Sequence, residues 1–361
     1  MANNNKAFCR QDEEYEYGLK DDECDSVYSV GYRPTIVIMG LKRSGKTSIR
    51  KVVFQKMSPN ETLFVESTAR VTNEYVGDSF INFETIEFPG QVDPFEASFD
   101  PNSIFSRCGA LLFVIDAQAD YDDALKKMVP AIIRSYTINK NIKFEVFVHK
   151  VDGLSDETKM ETHRKIFQTV QDDLADQGMD HIQIIFPFFL RIYDHSIFEA
   201  FSKVIQKLIK QLSVLESLLD IFNQGSNVEK SFLFDVASKI YIATDSSLVD
   251  MATYELCCDM IDVTIDISSI YGHHKTDQQQ NHQQQRPIGF DQDTSTMIML
   301  RTRQVIFLRQ INVYLALVAV IKEDNFDKQG LIDFNFNVFR QGVEEVFELV
   351  LLLNSAFVPY F

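Results

Sequence analysis

Residues 40–47 have the types and spacing of a phosphate-binding loop, since they read GLKRSGKT and match the pattern G-x-x-x-x-G-K-[ST]. Gly40 and Gly45 allow the backbone to curl, so that several N–H groups can point at one anion. Lys46 is expected to reach the β- and γ-phosphates of a nucleotide, and the Thr47 hydroxyl is expected to ligate Mg²⁺. The residues expected to contact the nucleotide here are Gly40, Arg43, Ser44, Gly45, Lys46, Thr47 and Ser48.

The segments on either side of this loop have the patterns that such a site requires. Residues 35–39 are β-branched or apolar, which predicts a buried strand. Residues 48–56 contain no Gly or Pro and place Ile49, Val52 and Val53 on one helical face. A strand, a glycine loop and a helix in this order favour a true phosphate site over a chance match, and the helix N-terminus would add its dipole.

A second segment, EFPGQ at residues 87–91, supplies a candidate acid and a candidate water-orienting amide. It resembles the D-x-x-G-Q pattern of small GTPases, in which the acid supports Mg²⁺, the glycine amide senses the γ-phosphate and the glutamine orients water. Thr68 precedes it and is placed like the switch threonine that reaches Mg²⁺ only beside a γ-phosphate. The candidate catalytic residues are therefore Gln91, Lys46 and Thr68, the candidate metal ligands are Thr47, Thr68 and Glu87, and Gly90 is a candidate nucleotide contact.

A third segment, HKVD at residues 149–152, resembles the N-K-x-D guanine box. In that box a carboxylate accepts two hydrogen bonds, from the N1–H and the amino group of guanine. Adenine does not offer this pair of donors, so Asp152 is the residue where base specificity is expected. We assign His149, Lys150 and Asp152 to nucleotide binding.

The elements that must position these segments alternate between apolar strands and helical patterns up to about residue 212. This alternation predicts an α/β domain over 33–212 with a mostly parallel sheet, and ligands of such sheets bind beyond the carboxyl ends of the strands. The predicted strands after the first are 80–88, 110–115, 144–148 and 182–186, and the predicted later helices are 124–136, 157–175 and 196–211.

The pattern changes after about residue 213, where strands follow one another with short turns. An α+β domain with an antiparallel sheet is predicted over 213–361. Residues 273–293 contain a Gln-rich tract that predicts a loop insertion, and the three histidines there are interpreted as solvated rather than metal-binding. Residues 1–32 carry clustered acidic residues and little apolar material, which predicts a disordered tail.

Bulk composition narrows the function classes. The 361 residues suffice for two domains, and a net charge of −17 argues against a nucleic-acid partner, which would require a basic face. The five cysteines show no metal-ligand spacing, which favours a reducing compartment. No signal peptide, spanning segment or lipidation motif is visible, so membrane association is expected through a partner.

Several longer segments resemble the Rag GTPases of the Rag C/Rag D type. The resemblance covers about residues 33–349, and it is carried by MSPNETLF at 57–64, HKVDGLSD at 149–156, YDHS at 193–196, FLFD at 232–235, YIATDSS at 241–247 and YELCCD at 254–259. It implies a Ras-like P-loop G domain followed by a roadblock-type dimerisation domain, with GTP or GDP and Mg²⁺ as cofactors.

The resemblance also implies partners and a location. The expected partners are a Rag A/Rag B-type GTPase in a heterodimer, components of the target-of-rapamycin complex, a membrane-tethered scaffold and a GTPase-activating protein. The chain would then be cytoplasmic, signal amino-acid sufficiency and be recruited to the lysosome or vacuole through those partners, with the nucleus as a second location.

Two departures from the family pattern bear on the mechanism. Position 87 is Glu where the family has Asp, and Leu190-Arg191 stand where the fifth nucleotide box holds Thr-Ser. Arg191 is assigned to the base pocket, where it could stack on guanine. A slowly hydrolysing GTPase switch is the leading interpretation, and a guanine-nucleotide-binding scaffold that does not hydrolyse is the alternative. A P-loop ATPase would require Asp152 to act merely as a helix cap.

Overall fold

The computed structural model describes residues 34–76, 83–187, 189–271, 294–312 and 314–356. The predicted acidic tail 1–32 and the Gln-rich loop 273–293 lie outside these residues, as do the last five residues of the chain. Within these ranges the strands form a six-stranded sheet in the first half and a five-stranded sheet in the second half. None of the helices in the described ranges combines the length and apolar character needed to cross a bilayer.

The first sheet has the strand order β2-β3-β1-β4-β5-β6, with β2 antiparallel to β3 and the other pairs parallel. Its strands are β1 Thr35–Gly40, β2 Thr72–Val76, β3 Phe83–Glu87, β4 Cys108–Asp116, β5 Lys143–His149 and β6 Ile184–Ile185. The helices of this half are α1 Lys46–Gln55, α2 Pro101–Ser106, α3 Asp122–Ile138, α4 Asp156–Asp176 and α5 Ser196–Gln206.

The parallel strands end together at one edge of this sheet. In the register of the sheet, Ile38 pairs with Glu87, and Asp116 pairs with His149. Strands β1, β3, β4 and β5 are mostly buried, and Glu87, Asp116 and His149 are the last residues of β3, β4 and β5. The edge therefore collects the chemistry-bearing residues of segments that are distant in the sequence.

The structure differs from the predicted elements in several places. Strand β6 covers only Ile184–Ile185, and α5 ends at Gln206 rather than residue 211. Strand β2, helix α2 and helix α6, Leu212–Ser226, were not predicted. Strand β2 lies at the sheet edge and reads TNEYV, so it has little apolar signal of its own and depends on pairing with β3.

The second sheet is wholly antiparallel, with the order β8-β7-β11-β10-β9. Its strands are β7 Val228–Asp235, β8 Ile240–Thr244, β9 Ser295–Met299, β10 Gln304–Gln310 and β11 Leu315–Lys322. Its other helices are α7 Met251–Tyr271, α8 Glu323–Phe326 and α9 Gln329–Ala356. Apolar residues of α6 and α9 cover one face, and those of α7 belong to the core on the other face.

Helix α5 joins the two halves through a shared core. Its Phe198 and Phe201 belong to the same buried apolar cluster as Phe232 and Tyr241 of the second sheet. The Ser202 hydroxyl accepts a hydrogen bond from the backbone N–H of Tyr241 at 3.1 Å. A cut after residue 212 would therefore remove α5 from the second sheet and expose apolar surface there.

Candidate functional site

The loop between β1 and α1 packs tightly against its neighbours. Gly45 has φ 101°, and a Cβ at this position would lie 2.4 Å from Nδ1 of His149. A Cβ on Gly90 would lie 2.1 Å from the backbone nitrogen of Lys42, so the loop after β3 reaches the same turn. Side chains are excluded from both positions, so the backbone of the loop can approach a ligand closely.

Lys46 lies across this loop and is 5% exposed. Its Nζ donates hydrogen bonds to the carbonyl oxygens of Gly40 at 2.9 Å and Leu41 at 2.8 Å. Burial lowers the pKa of Lys46 to about 8, although the nearby charge of Glu87 opposes this shift. A phosphate in the loop would offer the ammonium group a charged partner in place of neutral carbonyls.

The three predicted metal ligands lie together at the start of α1. The hydroxyl oxygens of Thr47 and Thr68 are 2.7 Å apart. Both hydroxyls donate to Oε1 of Glu87, at 3.2 Å from Thr68 and at a shorter separation from Thr47. Hydroxyl and carboxylate oxygens are the donors that Mg²⁺ prefers, so this set fits that ion.

Arg50 lies directly behind these residues and was not predicted from the sequence. Its Nε donates to Oε2 of Glu87 at 2.9 Å, and its Nη1 pairs with Glu74 on β2. Burial disfavours the charge of Arg50, but the hydrogen bonds and attraction of both carboxylates outweigh burial and raise the pKa of the guanidinium. Arg50 thus connects α1 to two neighbouring strands.

The other end of the site is built on the loop after β5. Nδ1 of His149 lies 3.1 Å from the carbonyl oxygen of Ser44, and burial lowers the pKa of the imidazole. Nζ of Lys150 donates to the Arg43 carbonyl at 2.5 Å and to Oδ2 of Asp116 at 2.7 Å. These contacts fix the phosphate loop to the ends of β4 and β5. A further contact outside the predicted set is that of Gln118, whose Nε2 donates to the Lys150 carbonyl at 2.7 Å.

Arg191, assigned from the sequence to the base pocket, does not line the cleft, so its role stays a prediction. The Arg191 guanidinium pairs with Asp194 at 2.9 Å, and its backbone N–H donates to the Ser196 hydroxyl at 3.1 Å. The cleft is lined instead by the next two residues, Ile192 and Tyr193. Arg191 is thus held within the turn before α5 by Asp194 and Ser196.

One cleft of about 610 Å³ contains most of the predicted residues. The predicted residues that line it are Arg43, Gly45, Lys46, Thr47, Ser48, Thr68, Glu87, Gly90, His149, Lys150 and Asp152. Gly40 and Ser44 lie outside the lining and contribute backbone carbonyls to Lys46 and His149. Gln91 is exposed and does not line the cleft, so its role stays a prediction.

Sequence reasoning missed Asp116, Arg50, Glu74, Ile192 and Tyr193. Asp116 had a usable signal, because it is the first acidic residue after the apolar run of β4. Ile192 and Tyr193 directly follow the position of the fifth nucleotide box. Arg50 and Glu74 had no signal, since their contacts join segments that are distant in the sequence. In the described part of the chain, no three His, Cys, Asp or Glu residues cluster as a metal site.

The chain is similar to known proteins over most of its length. Residues 35–261 match the model of the Gtr1/RagA G protein conserved region. The chain is 54% identical to Ras-related GTP-binding protein D of Mus musculus, over 89% of this chain and 70% of that protein. Identity is also 54% to GTP-binding protein gtr2 of Schizosaccharomyces pombe, over 86% and 97% of the two chains. The chain is 23% identical to GTP-binding protein GTR1 of Saccharomyces cerevisiae, over 59% of this chain and 69% of that protein.

Proposed function

This chain belongs to the Gtr1/RagA family of G proteins, which are GTPases, and within that family to the Rag C/Rag D and Gtr2 type. From this premise we propose that the chain is a slowly hydrolysing, GTP-switched regulatory subunit. One observation carries the proposal. A phosphate-binding lysine, a hydroxyl–carboxylate cluster and an acidic residue suited to guanine line one cleft at the carboxyl edge of the parallel sheet.

The phosphate end of the cleft supports triphosphate binding. Lys46 and the backbone of the loop would hold the phosphates, while Thr47 and Thr68 would hold Mg²⁺ through their hydroxyl oxygens. Glu87 accepts hydrogen bonds from both hydroxyls and so orients them. When bound, Mg²⁺ neutralises charge that develops on the phosphate oxygens.

The base end supports guanine rather than adenine. Asp152 lies in the short helical turn Val151–Gly153, directly after β5, and its exposed carboxylate lines the cleft. A carboxylate there accepts from two donors of guanine, and adenine would leave it unsatisfied at a cost of about 1–3 kcal/mol. Tyr193 and Ile192 offer apolar surface for the ring. This arrangement disfavours the ATPase interpretation.

Hydrolysis is proposed to depend on Gln91 and on an activating protein, which adds roughly 10³–10⁵-fold in such sites. The non-hydrolysing scaffold is retained as a second candidate because Gln91 lies outside the cleft lining.

The second half is proposed to form a roadblock-type heterodimer with a Rag A/Rag B-type GTPase. Strand β9 is at the edge of its sheet, and within the described residues its outer side has no partner strand. Met297 and Met299 on β9 are 52% and 58% exposed, and Val263 and Ile267 on α7 are also exposed. An edge strand beside exposed apolar residues favours a protein partner.

We further propose that the heterodimer reports amino-acid sufficiency to target-of-rapamycin complex components. A membrane-tethered scaffold would recruit it from the cytoplasm to the lysosome or vacuole, and a nuclear pool is a second location. These proposals follow from the family relationship. Mass identification of proteins that co-purify stoichiometrically with the full chain tests them, and recovery of the chain without a related GTPase would contradict the heterodimer.

The nucleotide function is tested by extracting and identifying the nucleotide bound to the full chain and then measuring phosphate release from GTP in a single turnover. Guanine nucleotide with slow release supports the GTPase. Guanine nucleotide with no release, even with an activating protein, favours the scaffold, and adenine nucleotide overturns the guanine assignment. Lys46→Ala is the matched control, because it removes the cation that would hold the phosphates.

A further inference from the structure

We propose that Arg50 is a resident counter-ion for the metal-site acid Glu87, so that this buried carboxylate keeps a positively charged partner and its position when no divalent cation is bound. The inference rests on the proposed function, because it assigns Glu87 to the magnesium end of the cleft. Arg50 would then lower the dependence of nucleotide binding on Mg²⁺. Arg50 is a positioning residue, since it acts through Glu87 and does not line the cleft of about 610 Å³.

The geometry divides the Glu87 carboxylate between two tasks. Oε1 accepts hydrogen bonds from Thr47 and Thr68, on the side of the cleft. Oε2 accepts the Arg50 Nε hydrogen bond at 2.9 Å. Arg50 follows Thr47 by three positions in α1, so both side chains leave the same face of the helix. The additional methylene of Glu relative to Asp gives the carboxylate the reach to contact both partners.

Burial makes a counter-ion necessary. The Glu87 side chain is 0% exposed and that of Arg50 is 4% exposed. A buried carboxylate without a partner is strongly disfavoured. Lys46 is nearby, but its Nζ is hydrogen-bonded to the Gly40 and Leu41 carbonyls. Among the described residues, the ion pair that reaches Glu87 is therefore the one with Arg50.

Glu74 holds the outer side of Arg50. It pairs with Nη1 of Arg50, and its Oε1 also accepts from Nε2 of Gln55 at 2.6 Å. The Glu74 side chain is 30% exposed, so water compensates part of its charge. Glu74 can therefore lose Arg50 at smaller cost than Glu87 can, which provides a matched comparison within one cluster.

The sign of the effect follows from the two states of the site. Without Mg²⁺, removal of Arg50 leaves Glu87 buried and unpaired. With Mg²⁺ bound, the ion supplies positive charge close to the same carboxylate and offsets part of that loss. Loss of Arg50 should therefore destabilise the magnesium-free protein more than the magnesium-bound protein, and should make nucleotide retention more dependent on Mg²⁺.

The experiment measures release of a fluorescent GDP analogue and thermal unfolding of the full chain, each in excess Mg²⁺ and in EDTA. For Arg50→Gln we expect the ratio of the release rate in EDTA to that in Mg²⁺ to rise about tenfold, the scale of other metal-orienting partners. Lys51→Gln removes the same charge from the next position of α1 and should leave the ratio unchanged. Glu74→Gln should leave it within about twofold, since the Arg50–Glu87 contact remains.

Two further variants keep the inference falsifiable. Arg50→Lys retains the charge, so its ratio of release rates in EDTA and in Mg²⁺ should lie between those of the parent and Arg50→Gln. This variant still tests the inference if Arg50→Gln folds poorly. In a Glu87→Gln background, Arg50→Gln should cost little additional thermal stability in EDTA, because no carboxylate remains to be neutralised. The inference would be overturned if Arg50→Gln lowered thermal stability equally in Mg²⁺ and EDTA, or if it made nucleotide release less dependent on Mg²⁺. It would also be overturned if Arg50→Gln cost as much thermal stability in the Glu87→Gln background as in the parent. A parent that binds no guanine nucleotide would refute the proposed function instead, and the EDTA unfolding series would still decide the role of Arg50.

Discussion

Each half of the molecule buries a cation–carboxylate pair at the end of a sheet strand, but the two pairs have different surroundings. In the first half, Arg50 and Glu87 lie beside hydroxyls that line a cleft. In the second half, Lys230 and Asp245 are 3.1 Å apart, with side chains 9% and 5% exposed. Nζ of Lys230 also donates to the carbonyl and hydroxyl oxygens of Ser247, at 2.8 and 3.0 Å.

The difference separates a binding cluster from a structural one. Asp245 accepts from the backbone N–H groups of Ser231 at 3.0 Å and Ser247 at 3.1 Å, so its hydrogen-bonding capacity is used inside the fold. Glu87 instead orients hydroxyls that face a cleft, and their remaining lone pairs are available to a ligand. Substitutions in the first cluster should therefore have effects that depend on ligand, and those in the second should not.

The largest effect is expected at Gln91, which is exposed and belongs to neither buried cluster. Gln91→Leu should lose about 10³-fold or more of the GTP hydrolysis rate stimulated by an activating protein, with nucleotide affinity unchanged, because the residue acts on water rather than on the bound ground state. Single-turnover phosphate release with and without the activator measures this. Equal stimulated rates in variant and parent would remove Gln91 from the mechanism.

The structural cluster provides the next largest effect. Asp245→Asn leaves Lys230 buried without its counter-ion and should lower the free energy of unfolding by about 3 kcal/mol. The same loss is expected with and without guanine nucleotide, once the stabilisation by the nucleotide itself is subtracted. Denaturant unfolding measures both. Asp262→Asn is the matched control, since Asp262 is 43% exposed beside Lys239 and should cost below about 1 kcal/mol. A nucleotide-dependent loss at Asp245 would erase the distinction between the clusters.

Base selectivity tests an exposed residue of the cleft, Asp152, against the two buried clusters. Asp152→Asn should weaken GTP binding by about 10- to 100-fold and favour xanthosine triphosphate, because an amide replaces a pair of acceptors by one acceptor and one donor. Thermal stability without nucleotide should be unchanged, since Asp152 is exposed. Competition titrations with both nucleotides decide the point. Asp156→Asn, at an exposed helix start outside the cleft, should keep the preference for GTP, and retention of that preference by Asp152→Asn would contradict the assignment.

The smallest effect concerns acid pH. Burial alone would raise the pKa of Asp245, but hydrogen bonds from Ser231 and Ser247 and attraction to Lys230 lower it below its ordinary value. A carboxylate with a depressed pKa contributes stability above its unfolded pKa of about 3.9, and that contribution disappears as the pH falls through the folded value. The stability difference between the parent and Asp245→Asn should therefore shrink by about 1 kcal/mol or more on going from pH 6 to below about pH 4. A difference that stays constant over this range would show that the charge of Asp245 is not what stabilises the cluster.

The sequence by itself determined the features encoded in short segments. The apolar run of β1, the glycine loop and the amphipathic α1 are local patterns, and so is the acidic end of β3 at Glu87. The family relationship follows from the same segments. Local patterns suffice here because a turn, a helix face or a strand end depends on neighbours a few residues away.

The tertiary structure alone decided which distant side chains meet. Arg50 and Glu87 are 37 positions apart, and Lys150 and Asp116 are 34 apart, and each pair forms because the strand order places their elements side by side. Contacts of this kind depend on sheet order and register, which single-segment periodicity does not carry, and they determine how the charges of the site are balanced.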